Sequence, residues 1–316
     1  MAEFDPIFGH DLTQGQLATA LGDPAQIAGI RQMRFDGGPQ AGTRLIQIRN
    51  TSGLCVELLP DRCLDIGQVW QNGYPFAWMG PHGLPTWHDG LTMEDALGGL
   101  MATCGFDHIR QPVTHDAHAY PLHGTMALRP AGEVSLHQIG SGADTKFVAQ
   151  AKVAQISPNG ATYQLNRRIS VPISQNTILL DDVVTVTPDA PIFALYHINL
   201  GFPLISASTQ VSCNGTPSND MLEGDPQTRI RGRMSGRYAV RVDDGLSGPE
   251  RAIEITTDGT DLPWLQTHRR AEPGRNLFCI EPVTHDRKSR AELFKNGDVE
   301  LVARRKFSLK FAFSAG

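Results

Sequence analysis

Long apolar runs are missing from this 316-residue chain. No stretch approaches the roughly 18 apolar residues that a membrane-spanning helix needs, so no membrane partner is expected. The opening residues, MAEFDPIFGH, have neither a basic start nor an apolar segment, which argues against a secretory signal. Cysteine is scarce and odd in number: Cys55, Cys63, Cys104, Cys213 and Cys279, with no Cys-x-x-Cys pair. That excludes a disulfide framework and a structural zinc knuckle, and points to a reduced, cytoplasmic chain. Basic blocks are absent and the formal charge is −5, so nucleic acid is not an expected partner. No Gly-x-Ser-x-Gly, phosphate-binding loop or dinucleotide fingerprint occurs.

What is present is alternation. Leu165, Arg167, Ile169, Val171 and Ile173 share one parity, as do Leu180, Asp182, Val184 and Val186. Leu301, Ala303, Phe307, Leu309, Phe311 and Phe313 do the same near the C-terminus. Such runs predict strands with one buried face. The 32 glycines and 21 prolines supply the turns between them. Helical patterns are few. Thr13 and Gln16 form a capping-box pattern that predicts a helix over 13–22, and Thr92 with Asp95 suggests a second before Leu97, Leu100 and Met101. Gly98 and Gly99 weaken that second helix. Strands that are not interleaved with long helices disfavour a parallel α/β sheet. The expected fold is all-β: a large antiparallel β-sandwich with a few short helices. There is no internal repeat or linker, and SPNG (157–160) and DDGLSG (243–248) read as hairpin turns, so residues 1–316 are expected to form one domain.

Four segments place ionisable residues beside apolar strand sequence. In PDRCLDIG (60–67), Asp61, Arg62 and Asp65 are either an ion pair at a turn or a ligand-facing arginine braced by a carboxylate. In TCGFDHIRQPVTHDAHAYPLHGTM (103–126), Asp107, His108, His115, His118 and His123 lie close together. His115-x-x-His118 has metal-ligand spacing but sits in turn-rich sequence, whereas Leu122-His123-Gly124 suits a strand end where backbone approaches a ligand. In FALYHINLGFP (193–203), His197 and Asn199 share one strand face. A histidine there is a satisfied core residue or part of a polar patch in a concave site. In FCIEPVTHDR (278–287), Glu281 ends an apolar strand and needs a partner or a shifted pKa, with His285 and Arg287 close by. Cys104 has no nucleophile signature around it and reads as a small buried side chain.

PDRCLDIG, GPHGLP, GGLMATCGFDH, PLHGTM, NLGFP and CIEP, in that order, resemble the galactose-mutarotase-like superfamily, and within it the aldose 1-epimerase-related family DUF4432. The resemblance runs over about residues 12–313. It implies a β-supersandwich with a carbohydrate site on a concave sheet face. It also implies a free sugar or sugar acid as substrate, and acid–base catalysis by histidine and glutamate. His197 matches the acid histidine and His123 the second histidine. The base of mutarotases lies in a Pro-Gly-Glu turn near the last strand. That turn is missing from ELVARRKF, where Ala303 stands near the expected glutamate and Glu300 is close by. Glu281 is therefore the expected base, with His197 and His123 completing the catalytic set. Arg62, Asp65, Asp107, His108, Asn199 and His285 are the expected substrate-binding residues.

No cofactor is expected under this reading. Two alternatives remain open: a divalent-metal-assisted sugar isomerase or epimerase using the additional histidines, and a non-catalytic sugar-binding protein with Trp70, Trp78, Trp87 and Trp264 as ring platforms. A homo-oligomer is compatible with the sequence. An acidic sugar would call for converging arginines, for which Arg62, Arg110 and Arg287 are the candidates.

Overall fold

The computed structural model describes residues 10, 13–84, 92–223 and 227–316. Period-two patterning becomes long antiparallel strands packed as two sheets. The strand Thr162–Pro172 buries Leu165, Arg167, Ile169 and Val171, and the strand Thr177–Ala190 buries Leu180, Asp182, Val184 and Val186. The two strands pair with Arg167 opposite Asp182. They belong to a nine-stranded sheet that also holds Val302–Ala315. In that last strand Phe307, Leu309, Phe311 and Phe313 are buried as the alternation predicts. Leu301, just before it, is 62% exposed, and Ala303 is exposed too, because the pairing with Thr177–Ala190 shifts register there.

A ten-stranded sheet faces it. Its centre runs, side by side, through Asp65–Gln71, Met101–Phe106, Phe193–Leu200, Leu277–Val283 and Trp264–Arg270. Every residue of Phe193–Leu200 is buried, since both of its faces are covered. Ala194, Tyr196, Ile198 and Leu200 face the inter-sheet core. Phe193 and Leu195 pack in a smaller apolar cluster. His197 and Asn199 share their parity.

The core between the sheets contains an ion cluster. The Arg167 guanidinium donates to Asp182 Oδ1 at 2.9 Å and Oδ2 at 2.7 Å, to Asp65 Oδ1 at 2.7 Å, and to Thr103 Oγ1 at 2.7 Å. The Tyr196 hydroxyl donates to Asp182 Oδ2 at 2.7 Å. These bonds tie both sheets together beneath His197, and buried charge persists there because nearly every lone pair finds a donor.

Helix is scarce, as expected. Gln14–Ala20 carries the full Thr13–Gln16 capping box, and Arg290–Lys295 carries another between Ser289 and Glu292. The helix expected near Thr92 is reduced to one 3₁₀ turn, Asp95–Leu97. Gly98 and Gly99 end it, and Met101 already starts a strand. The segment 157–160 links two paired strands as a hairpin, and 243–248 lies in the connection between another pair. Among the described residues, no helix is long and apolar enough to cross a membrane.

Candidate active site

Strand register builds the centre of the site. Gln266 pairs with Glu281 across two neighbouring strands. On the other side, the pairs Leu195–Val283 and Ile198–Ile280 set a register that places His197 opposite Glu281. Three side chains far apart in sequence thus stand in one row on one sheet face, at the close spacing of cross-strand neighbours. The row opens into a cavity of about 570 Å³, within the size range of small-molecule sites. Trp78, Leu97, Arg110, Leu122, His123, His268, Arg270, Arg275 and Arg287 contribute to its walls.

Hydrogen bonds fix the protons of the row. Asn199 Nδ2 donates to the carbonyls of Leu97, at 2.6 Å, and Gly99, at 3.3 Å. Its Oδ1 must then be the acceptor facing His197 Nδ1, 2.5 Å away. His197 Nδ1 therefore carries a hydrogen, and any transferable proton sits on Nε2. Nε2 lies 3.5 Å from Glu281 Oε1. The other Glu281 oxygen accepts from Gln266 Nε2, and Gln266 Oε1 accepts from Arg110 Nε at 3.3 Å. Arg110 is anchored by the carbonyls of His285 and Asp286, both at 2.6 Å.

His123 is held differently. Its backbone carbonyl accepts from Gly105 N at 2.9 Å, and its N–H donates to the Arg110 carbonyl at 2.7 Å. It adopts φ +55°, followed by Gly124 at φ +71°. A Cβ at Gly124 would lie 2.7 Å from the carbonyl oxygens of Gly105 and His108, so glycine is needed there. His123 Nδ1 accepts from Arg110 N at 3.1 Å, which leaves the hydrogen on Nε2. Burial and the nearby His197 hold its pKa well below the usual imidazole value. His123 is a neutral hydrogen-bond donor whose ring meets that of His197 edge-on at 5.6 Å.

The three expected catalytic side chains, His197, Glu281 and His123, thus converge on one cavity, and Asn199 lies directly behind His197. None of the six expected sugar contacts lines it, Asn199 included. Arg62 is buried, donating to the carbonyls of Ala96 and Gly98, and so supports the turn beneath the cavity wall. Asp65 belongs to the Arg167 cluster, where Thr103 N and Oγ1 also donate to it. Asp107 accepts from Gln155 at 2.8 Å, and burial pushes its pKa up to about 6. The His108 ring bonds to the Gln111 carbonyl at 2.7 Å, and His285 Nδ1 lies 2.7 Å from Thr284 Oγ1. Burial lowers both of these histidines to about 4. These five side chains are buried, as is that of Asn199. Asp61 is ion-paired with Arg44 at 2.6 Å.

His115 and His118 face each other across a small hairpin, with the His115 ring tilted against that of Phe294 at 5.0 Å, and neither lines the cavity. Among the described residues, the three potential metal ligands that converge are His197, Cys279 and Glu281, with ligand atoms within 4.8 Å of one another. Glu300 is exposed and accepts from Arg305 at 3.2 Å, outside the cavity. Cys104 is wholly buried, and burial raises its thiol pKa well above normal. Of the tryptophans, Trp78 reaches the cavity, whereas Trp87 lies outside the described residues. The sequence reading missed Gln266, His268, Arg270 and Arg275. The polar strand WLQTHRR (264–270) carries the first three, and Arg275 lies in the turn beyond it.

Two packed antiparallel sheets, with a polar cavity over the centre of one, define a galactose-mutarotase-like β-sandwich. Solved structures agree. A proposed aldose 1-epimerase from Klebsiella pneumoniae superposes with a TM-score of 0.76 at 21% identity, covering 90% of this chain and 83% of that one. Galactose 1-epimerase from Lactobacillus acidophilus NCFM gives 0.56 at 10% identity, covering 92% and 100%. The GalM/aldose epimerase homologue from C. elegans gives 0.58 at 15%, covering 86% and 99%. At these identities the likeness establishes the fold. The DUF4432 model, a domain of unknown function, matches residues 40–230, and the chain belongs to that family. No curated protein matches the chain in sequence.

Proposed function

We propose that the protein is an aldose 1-epimerase-type enzyme that interconverts the anomers of a free sugar. The observation that carries this reading is the placement of His197 Nε2 and Glu281 Oε1 side by side, 3.5 Å apart, at a small-molecule cavity that both residues line. Ionised Glu281 takes the proton of the anomeric hydroxyl. The bond between C1 and the ring oxygen breaks, its electrons go to that oxygen, and His197 Nε2 delivers a proton there. The open-chain aldehyde rotates about the C1–C2 bond, and the reverse transfers close the ring on the other face and restore both groups. His123 Nε2–H donates to a sugar oxygen without titrating. A paired acid and base of this kind supplies about 10²–10⁴-fold.

The test is NMR exchange spectroscopy between α and β anomers across a panel of aldoses and uronates, with solvent deuterium uptake followed in parallel. Faster anomer exchange without deuterium at carbon, abolished in His197→Ala, is the expected result. Deuterium at C2 or beyond would replace this reading with isomerase or epimerase chemistry at carbon.

The convergence of His197, Cys279 and Glu281 favours a second reading, a metal-assisted isomerase. Against it, the Cys279 thiol donates to Asn199 Oδ1 at 3.5 Å and its pKa is raised well above normal by burial, so it holds its proton. A stoichiometric divalent ion in the purified protein, removed together with activity by a chelator, would select the metal reading.

A further inference from the structure

The cavity walls carry four arginines, Arg110, Arg270, Arg275 and Arg287, against two carboxylates, Glu94 and Glu281. This positive surface belongs to a chain whose net charge is −5. The arginines come from four separate places. Arg110 follows the strand Met101–Phe106, Arg270 ends Trp264–Arg270, Arg275 lies in the turn beyond it, and Arg287 follows Leu277–Val283. Local sequence therefore does not force them together.

Their partners matter more than their number. Arg270 is neutralised by Glu272 at 3.0 Å. Arg110 donates only to two backbone carbonyls and the Gln266 amide, so no carboxylate within ion-pair reach balances it among the described residues. Arg287 is close enough for its charge to oppose that of Arg110. Arg275 and Arg287 are exposed residues, and neither makes an ion pair among the described residues. Like charges gathered at the mouth of a low-dielectric cleft focus a field that favours an anion. Guanidinium forks match the oxygens of carboxylate, sulfonate and phosphate, and exceed what neutral hydroxyls need. Glu281 and Asp286 lie close enough to offset part of the Arg110 charge, which leaves Arg275 and Arg287 as the cations without a carboxylate partner among the described residues.

We propose that the substrate is an anionic monosaccharide. Its reducing carbon lies over His197 and Glu281, and its carboxylate, sulfonate or phosphate is held by Arg287 and Arg275, with Arg110 behind. This rests on the mutarotase reading of the same cavity and narrows it to a substrate class.

The test compares neutral and anionic sugars of one ring stereochemistry, in gluco, galacto and manno series: the aldohexose, its uronate and its 6-phosphate. Anomer exchange gives kcat/KM, and ligand-observed NMR gives binding. The anionic members should exceed the neutral one by about tenfold or more in kcat/KM, equivalent to one added charge-assisted contact. That preference should shrink as salt rises to ~0.5 M and screens the mouth. Arg275→Gln with Arg287→Gln should raise KM for the anion with little change in kcat, while Arg237→Gln, on a remote strand, should leave it alone. The uronate and phosphate arms identify which anion is preferred. Neutral sugars turned over as well as anionic ones in every series would overturn the proposal and leave the mutarotase reading standing. Selective anion binding with no anomer exchange would do the reverse.

Discussion

Removing the amide that faces Glu281 tests the assignment of that carboxylate as the base. Gln266→Met keeps the length of the side chain but removes the Nε2–H that donates to Glu281 Oε2. Both residues are 2% exposed, so water does not readily replace the lost donor. A hydrogen bond to an ionised group contributes about 1.5–3 kcal/mol. Without that bond the carboxylate is no longer held in place toward the sugar, and at about 1.4 kcal/mol per factor of ten in rate, kcat for anomer exchange should fall by roughly tenfold to a hundredfold. The urea midpoint should change little, because the side chain keeps its volume. Anomer exchange rates measured by NMR on an anionic and a neutral sugar, beside urea unfolding of both proteins, provide the assay. An unchanged kcat, or a loss of rate matched by a loss of stability, would refute the assignment of Glu281 as the base that Gln266 holds.

Replacing His123 with Gln should retain part of the activity through its amide donor, whereas His123→Ala should lose about 1–2 kcal/mol of transition-state binding; neither should move the pH limbs, because His123 stays neutral. Arg167→Met strands the carboxylates of Asp65 and Asp182, both with fully buried side chains, and should cost about 3–5 kcal/mol in urea unfolding; a loss under ~1 kcal/mol would mean that water reaches the cluster. Acid should also destabilise the fold. His108 and His285 stay neutral down to about 4, so the unfolded chain takes up protons first between 6.5 and 4 and stability falls across that window. Asp107, raised to about 6, and Glu57, raised to about 7, oppose this by favouring the folded state as pH falls toward 4, but His123, held well below the usual imidazole value, joins the two histidines, so three groups act against two. His285→Asn should therefore flatten the fall of the urea midpoint on acidification.

Alternation, capping boxes and turn residues made the strands and the first helix legible, since these depend on neighbours within a few residues. The same alternation placed His197 with Asn199 and put Glu281 on an apolar strand, so the central pair was visible as candidates. What it did not reveal was the direction of each charge. Arg62, Asp65, Asp107, His108 and His285 have the composition of site residues, yet they face the interior. Alternation says that two residues share a face, not which sheet or cavity lies against it. The partner that binds Asp65 into the core, Arg167, is 102 residues away, and Gln266, which fixes Glu281, is 15 residues away on the next strand. Local patterning specified an all-β chain with a histidine and a glutamate on apolar strands. Only the antiparallel register of three strands decided that His197, Glu281 and Gln266 form one row. Only the packing of the loops around that row decided that the unpaired arginines surround it. Register and loop packing are set by the burial of whole sheets, a long-range property that no local stretch encodes.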